Sequence, residues 1–193
     1  MPEFSEKEIP LSDAIHTTLH LIVGALLFGV VSAILPEAVV LRLAGLALLT
    51  TGYFGVLARF GLDRPLNRLS AVVAGLGAAA YVGWLCIDPA QPRLGFFAVS
   101  ALLVALFVTG VAALHRDGMI KRIGAVGMVS TGLPLVAILV GHLALGGYGL
   151  LGLAWGRAAA GPAGLMTWPA DLLIAAIAGV TGVFWRRISR ELA

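Results

Sequence analysis

Residues 69–114 read LSAVVAGLGAAAYVGWLCIDPAQPRLGFFAVSALLVALFVTGVAAL. This stretch consists of two continuously apolar runs, Leu69–Ile87 and Leu94–Leu114, separated by the polar turn DPAQPR. Each run has about 20 residues, the length that an α-helix needs to cross roughly 30 Å of hydrocarbon. Backbone amides in hydrocarbon must bond within their own segment, and the runs are too long for barrel strands. The stretch therefore predicts a hairpin of two transmembrane α-helices.

The rest of the chain has the same character. Sixty per cent of the 193 residues are hydrophobic, only 12% are charged and the mean hydropathy is +0.99, whereas charged residues make up about 25% of soluble domains. The sequence predicts an all-α integral membrane protein, a single six-helix transmembrane domain over 1–193, with a short cytoplasmic lead at 1–13 and a long outer loop at 146–168. The predicted spans are Ala14–Leu35, Ala38–Ala58, Leu69–Ile87, Leu94–Leu114, Ile123–Leu145 and Pro169–Trp185.

The distribution of cations predicts the direction of insertion. Ten of the 13 Lys and Arg residues lie in segments on the side that holds both termini, and the remaining three are Arg42, Arg93 and Arg157. Because short cytoplasmic segments are enriched in Lys and Arg, both termini are predicted to be cytoplasmic. The net charge of +3 suits anionic lipid headgroups, so the expected partner is the lipid bilayer and not nucleic acid.

The spans also predict an internal repeat. Spans one and two, like spans three and four, run helix, proline-and-acid tip, helix, basic exit, and the last two spans would form a third helical hairpin with a longer tip. Small residues recur every fourth position, which favours close helix contact, although an alanine- and glycine-rich chain also produces this spacing by chance. These stripes are Ala25, Gly29 and Ala33; Gly75, Ala79 and Gly83; and Ala175 and Gly179.

Several short motifs carry a family resemblance. Two outer tips contain a proline, Ile34-Leu35-Pro36 and Ile87-Asp88-Pro89. The second tip is followed by the return Leu94-Gly95-Phe96-Phe97-Ala98-Val99 and then by Thr109-Gly110-Val111. With three hairpins in a chain of 193 residues, these motifs resemble the HdeD-like acid-resistance membrane protein family over the first four helices. The resemblance implies a stress-related protein of the bacterial inner (plasma) membrane. It carries no site residue onto this chain.

Acidic residues at the outer tips form one candidate site. Glu37, Asp88 and Asp171 lie at or near successive tips, and His142 lies at a similar depth in the fifth span. As a cluster they could take up protons or cations, because like charges in a low-dielectric site raise each other's pKa. Alternatively, each acid stabilises the N-terminus of the helix that follows it.

Histidines near the cytoplasmic ends form a second candidate site. His16 and His20 lie one turn apart on the first span, and His115 ends the fourth. One of the pair with His115 could ligate a haem iron, or the pair could hold a metal. Imidazoles are also common at interfaces, and the outer ligands of a di-haem cytochrome are missing. No cofactor and no metal are therefore predicted.

Two polar features lie inside the spans. Arg42 lies a few residues into the second span, so its long side chain is expected to extend to the outer surface. In the fifth span Thr131 precedes Pro134, and its hydroxyl is expected to bond back to a carbonyl of a kinked helix, unless the kink lines a transport site.

The leading hypothesis is a non-enzymatic membrane protein that acts by association with itself or with another membrane protein as an accessory subunit. Cys86 is the single cysteine, which excludes CxxC chemistry, and no nucleophile or HExxH motif is present. The alternatives are a small transporter or proton-linked channel using the outer acids, and a b-type haem subunit using the histidines.

Overall fold

The computed structural model describes residues 11–35, 38–61, 64–87, 92–145 and 168–191. Within these ranges the chain folds into six helices, each long and apolar enough to cross a membrane. Helix α1 comprises three consecutive segments, Leu11–Ala25, a π-helical turn at Leu26–Val30, and Val31–Ile34. The others are α2 (Val39–Phe60), α3 (Pro65–Ile87), α4 (Pro92–Leu114), α5 (Gly118–Leu145) and α6 (Trp168–Glu191). The predicted all-α, six-helix architecture is confirmed to this extent.

The helices run alternately up and down, which defines two ends of the bundle. The described chain begins at Leu11 and ends at Glu191 on one end, here called the terminal face. The chain connections after α1, α3 and α5 lie at the other end, the opposite face. Aliphatic side chains such as Val72, Leu76 and Leu133 remain exposed along the outside of the helices. So much exposed apolar surface suits hydrocarbon better than water.

Helix contacts divide the bundle into two groups of three. In the first group α1 packs closely between α2 and α6, and in the second group α4 packs closely between α3 and α5. The groups meet mainly along two seams, α2/α3 and α5/α6, and α4 also contacts α6; these contacts are sparser than those within each group. Since α5 packs mainly on α4 and α6 mainly on α1, the last two helices do not repeat the close pairing of the first two hairpins. The three-hairpin repeat stays a prediction.

Glycines set the close approaches inside each group. A Cβ added to Gly29 of α1 would lie 2.3 Å from the Ala175 Cβ of α6, and one on Gly179 would lie 3.7 Å from the Ala25 Cβ. Two of the small-residue stripes therefore meet each other. The stripe on α3 does not behave in this way, because a Cβ on Gly75 or Gly83 would have no described neighbour within 4 Å.

The π-helical turn in α1 is a feature that the apolar pattern could not predict. It places Phe28 and Gly29 in the interior, and the Phe28 ring packs against the ring of Tyr81 with centroids 5.2 Å apart. Such turns insert one extra residue into a helical turn and are frequent beside functional sites. Here the turn lies beside the most polar part of the bundle interior.

Candidate functional site

A buried ion pair joins the second and the sixth helix. Nη2 of Arg42 on α2 lies 3.3 Å from Oδ2 of Asp171 on α6, and the two side chains are 2% and 0% exposed. Arg42 Nη2 also donates to the Tyr81 Oη of α3 at 2.6 Å, and this hydroxyl donates to Asp171 Oδ2 at 2.7 Å. We call Arg42, Tyr81 and Asp171 the ion-pair cluster. It connects α2, α3 and α6 and therefore bridges both helix groups.

Aromatic rings enclose this cluster. The Arg42 guanidinium carbon lies 5.7 Å from the Tyr81 ring centroid and 6.0 Å from that of Trp84, and Trp84 meets Tyr81 edge-on at 5.5 Å. The ring faces attract the cation, and the apolar surroundings strengthen its attraction to the carboxylate. A delocalised guanidinium is also easier to desolvate than an ammonium.

Helix register explains why these charges meet. Arg42 is the fourth residue of α2 and Asp171 the fourth residue of α6, and both helices begin at the opposite face. Both charges therefore lie at the same depth, roughly 4.5 Å along their helices. The first turn of α6 is also where the helix dipole favours an acid. The expectation that Arg42 extends to the outer surface was wrong, because a carboxylate at its own depth holds it in the interior.

The predicted cluster of outer acids is described only in part. Glu37 and Asp88 lie outside the described residues, and for His142 only the helical backbone of α5 is described. Asp171 is buried and bonded to Arg42 and Tyr81, a partnership that the sequence reasoning missed. A signal was present, since an arginine within a span requires a counter-charge, and Asp171 is the described acid at the matching depth.

A second polar cluster lies deeper in the α2/α3 seam. The Tyr53 hydroxyl of α2 bonds to the hydroxyls of Ser70 on α3 and Thr109 on α4. Ser70 also donates to the Ala105 carbonyl at 2.7 Å. We call Tyr53, Ser70 and Thr109 the hydroxyl cluster. Along α2 it lies roughly 16 Å from Arg42, toward the terminal face, so hydrogen bonds join the two groups at two separate depths.

A cavity of about 110 Å³ lies in the centre of the bundle, and all six helices contribute to its wall. Its lining extends from Leu46 and Ile174 near mid-bundle to Phe60, Ile120 and Ile188 near the terminal face. The wall is almost entirely aliphatic and aromatic. This arrangement is suited to holding an apolar molecule, because the described residues of the wall carry no charged side chain.

The histidines lie apart from both clusters. The rings of His16 and His20 stack with centroids 6.4 Å apart on α1, and His115 on α4 is exposed with Nδ1 3.1 Å from the Val111 carbonyl oxygen of its own helix. Helices α1 and α4 belong to different groups and do not pack side by side. Among the described residues, no group of three or more His, Cys, Asp or Glu side chains is placed to hold a metal.

Thr131 behaves as the sequence predicts. Its hydroxyl donates to the Gly127 carbonyl of its own helix at 2.8 Å, and α5 continues through Pro134.

Compared with known proteins, the chain matches no family model, and no curated protein or solved structure matches it significantly.

Proposed function

We propose that this chain is a non-enzymatic multi-pass protein of the bacterial inner (plasma) membrane, with both termini in the cytoplasm, that acts as an accessory subunit by contact with other membrane components. Six apolar helices and their exposed aliphatic surface support the membrane location. The ten Lys and Arg residues on the terminal side of the spans support the orientation.

The ion-pair cluster is the observation that carries the non-enzymatic role. Intramembrane charges are costly, and they persist where they serve a purpose. Here the cation and the anion bond to each other and to the Tyr81 hydroxyl while joining three helices. Charges arranged in this way specify which helices meet and at what depth. The bundle interior then serves as a scaffold, and the apolar outer surface is left for contact with lipid or with another membrane protein.

The resemblance of the first four helices to the HdeD-like family adds acid stress to this proposal as the condition in which the protein acts. Acid survival of cells that lack the chain tests that part. We expect survival to fall and to be restored by the native chain. Unchanged survival would remove the stress role and leave the accessory role in place.

Proton-linked transport is the second candidate, and the burial of Asp171 within a helix of membrane-spanning length favours it. In that case the Asp171 carboxylate would exchange a proton with the outer aqueous phase. Its ion pair with Arg42 would break and re-form in each cycle.

Reconstitution separates the two candidates. Vesicles that contain the native chain and a trapped pH-sensitive dye are given a pH gradient, and Asp171→Asn is the paired variant. The accessory role predicts dye responses equal to those of empty vesicles for both proteins. A proton flux that the native chain carries and Asp171→Asn lacks would overturn the accessory role.

Reporters fused to the two chain ends test the membrane topology separately, and both are expected to report the cytoplasm.

A further inference from the structure

The central cavity has the dimensions and wall of a site for an apolar molecule. Its volume of about 110 Å³ is of the same order as that of engineered cavities, roughly 150 Å³, which stay dry and bind benzene. Trp185, 1% exposed, forms part of the wall. A cavity of this size can take the end of a hydrocarbon chain, which would restore the packing contacts that the empty space lacks.

The hydroxyl groups in the wall are already committed. Thr50 donates to the Leu46 carbonyl at 2.7 Å and Thr181 to the Ile177 carbonyl at 2.8 Å. Tyr53 and Thr109 bond to each other within the hydroxyl cluster. No charged residue is found among the described residues that line the cavity. A polar ligand would therefore lose its hydration without gaining equivalent bonds, whereas an apolar chain would lose nothing.

The α5/α6 seam borders the cavity. Ile123, Gly124 and Gly127 of α5 and Ile177 and Ala178 of α6 all line the cavity. Among the described atoms, a Cβ added to Gly127 would come within 4 Å of Ile177 Cγ2 alone, at 4.0 Å, whereas at Gly45 in the α1/α2 contact it would lie 2.4 Å from a backbone nitrogen. The seam is therefore loosely packed beside the cavity.

The α2/α3 seam is joined by hydrogen bonds. Both polar clusters cross α2/α3, but on α5 and α6 the hydroxyls of Thr131 and Thr181 donate to their own helices. We propose that the central cavity binds the hydrocarbon chain of a lipid, which enters from the bilayer between α5 and α6. This inference rests on the proposed membrane location but not on the accessory role.

The cavity tryptophan provides a direct test. Carbon-bound bromine quenches indole fluorescence at short range, so phospholipids brominated in the middle of one acyl chain report contact with Trp185. The chain is reconstituted in vesicles of brominated or ordinary phosphatidylcholine, and the difference between the native chain and Trp185→Phe isolates the Trp185 signal. We expect brominated lipid to quench this signal.

Two neighbouring positions on α5 give a matched pair of variants. Gly127→Leu places a side chain in the seam, whereas Val126→Leu enlarges a side chain that is 65% exposed on the outer surface. We expect Gly127→Leu to abolish Trp185 quenching and Val126→Leu to leave it unchanged. Equal quenching in Gly127→Leu and the native chain, or none in the native chain, would overturn the proposal.

A second pair of variants covers a failure of Gly127→Leu to fold. Ala178→Phe fills the cavity and Val183→Phe is its exposed control on the same helix, with gel filtration as the folding check. Loss of quenching in Ala178→Phe alone supports the cavity site, and retained quenching rejects it.

Brominated free fatty acid added to ordinary vesicles identifies the source of the bound hydrocarbon chain. The lipid assignment requires stronger quenching by the phospholipid, and quenching by the fatty acid alone would contradict it. If the reporters contradict the topology but brominated phospholipid still quenches the Trp185 signal, the proposed orientation fails and the cavity site does not.

Discussion

The two seams between the helix groups differ in what holds them. At α2/α3, the ion-pair cluster and the hydroxyl cluster bind the groups together at two depths. At α5/α6, next to the cavity, Gly127 leaves room for an added Cβ, which would lie 4.0 Å from Ile177 Cγ2, and the nearby threonines bond within their own helices. Lipid tails are as apolar as leucine, so the hydrophobic effect does not drive helices together in a bilayer. The comparison shows that, among the described side chains, the hydrogen bonds between the two groups are concentrated at α2/α3.

Breaking the ion pair is expected to have the largest effect. Arg42→Met leaves the Asp171 carboxylate without its counter-charge in the interior, and we expect a loss of about 3–5 kcal/mol of stability. The shift in the unfolding midpoint in mixed detergent micelles measures it.

The chain offers a matched control for this variant. Arg59 forms an ion pair with Asp13 at 3.8 Å, but Arg59 is partly exposed and Asp13 is well exposed, so Arg59→Met is expected to cost under about 1 kcal/mol. Similar losses in the two variants would show that burial does not govern the strength of the pair. Adding Asp171→Leu to Arg42→Met should recover part of the stability, since the uncompensated charge is then removed.

Crowding a close helix contact is expected to rank second. Gly45→Val places a Cβ 2.4 Å from the Phe28 backbone nitrogen, and the α1/α2 contact must open at a cost of about 1–3 kcal/mol. Gly75→Val is the control, because an added Cβ there meets no described atom within 4 Å. Unfolding midpoints in micelles again report the difference. Equal effects would mean that helix propensity and not helix contact governs these positions.

Removing one hydroxyl from the deeper cluster should have a smaller effect. Tyr53→Phe loses the bonds to Ser70 and Thr109, and interhelical hydrogen bonds in membranes contribute about 0.6 kcal/mol on average and up to about 1.7. The same unfolding assay with Thr51→Ala as control isolates the helix-to-helix bonds, because the exposed Thr51 hydroxyl donates to Ala47 of its own helix. A double-mutant cycle with Ser70→Ala should give a coupling of similar size. A coupling free energy of zero would show that the hydroxyl cluster does not stabilise the α2/α3 seam.

The smallest effect is expected at the loose seam. Gly127→Ala adds a Cβ at ordinary contact distance, 4.0 Å from Ile177 Cγ2, and its change in stability should stay within about 0.5 kcal/mol. Gly124→Ala on the same helix must push against the Ala113 Cβ at 2.4 Å and should destabilise more. If thermal unfolding in detergent reverses this order, α5 packs on α6 and not on α4.

Much of the architecture could be predicted from local sequence. Apolar runs of membrane-spanning length predict six helices, and the structure has them, with α3, α5 and α6 extending four to six residues further at the terminal face. The stripes at Gly29 and Ala175 also predict close contact, and these two residues meet each other. The equivalent stripe at Gly75 has no such contact, because residue spacing alone cannot say which face of a helix finds a partner.

The candidate sites were harder to predict. Asp171 could be identified as notable, but its partner is 129 positions away in the sequence. Grouping acids by their place at hairpin tips overlooked Arg42, a basic residue at the same depth. Tyr53, Ser70 and Thr109 carry no local signal at all, since isolated hydroxyls within apolar spans usually bond to their own helix.

By itself, the sequence determined how many helices form, roughly where each begins and ends, and how much apolar surface they carry, because helix formation and hydrocarbon length depend on consecutive residues. Only the tertiary structure decided that α1 lies between α2 and α6, that Arg42 meets Asp171, and that a cavity remains at the centre. These features depend on which faces of distant helices come together. In a bundle of uniformly apolar helices, a few glycines and polar side chains select among many arrangements of similar energy.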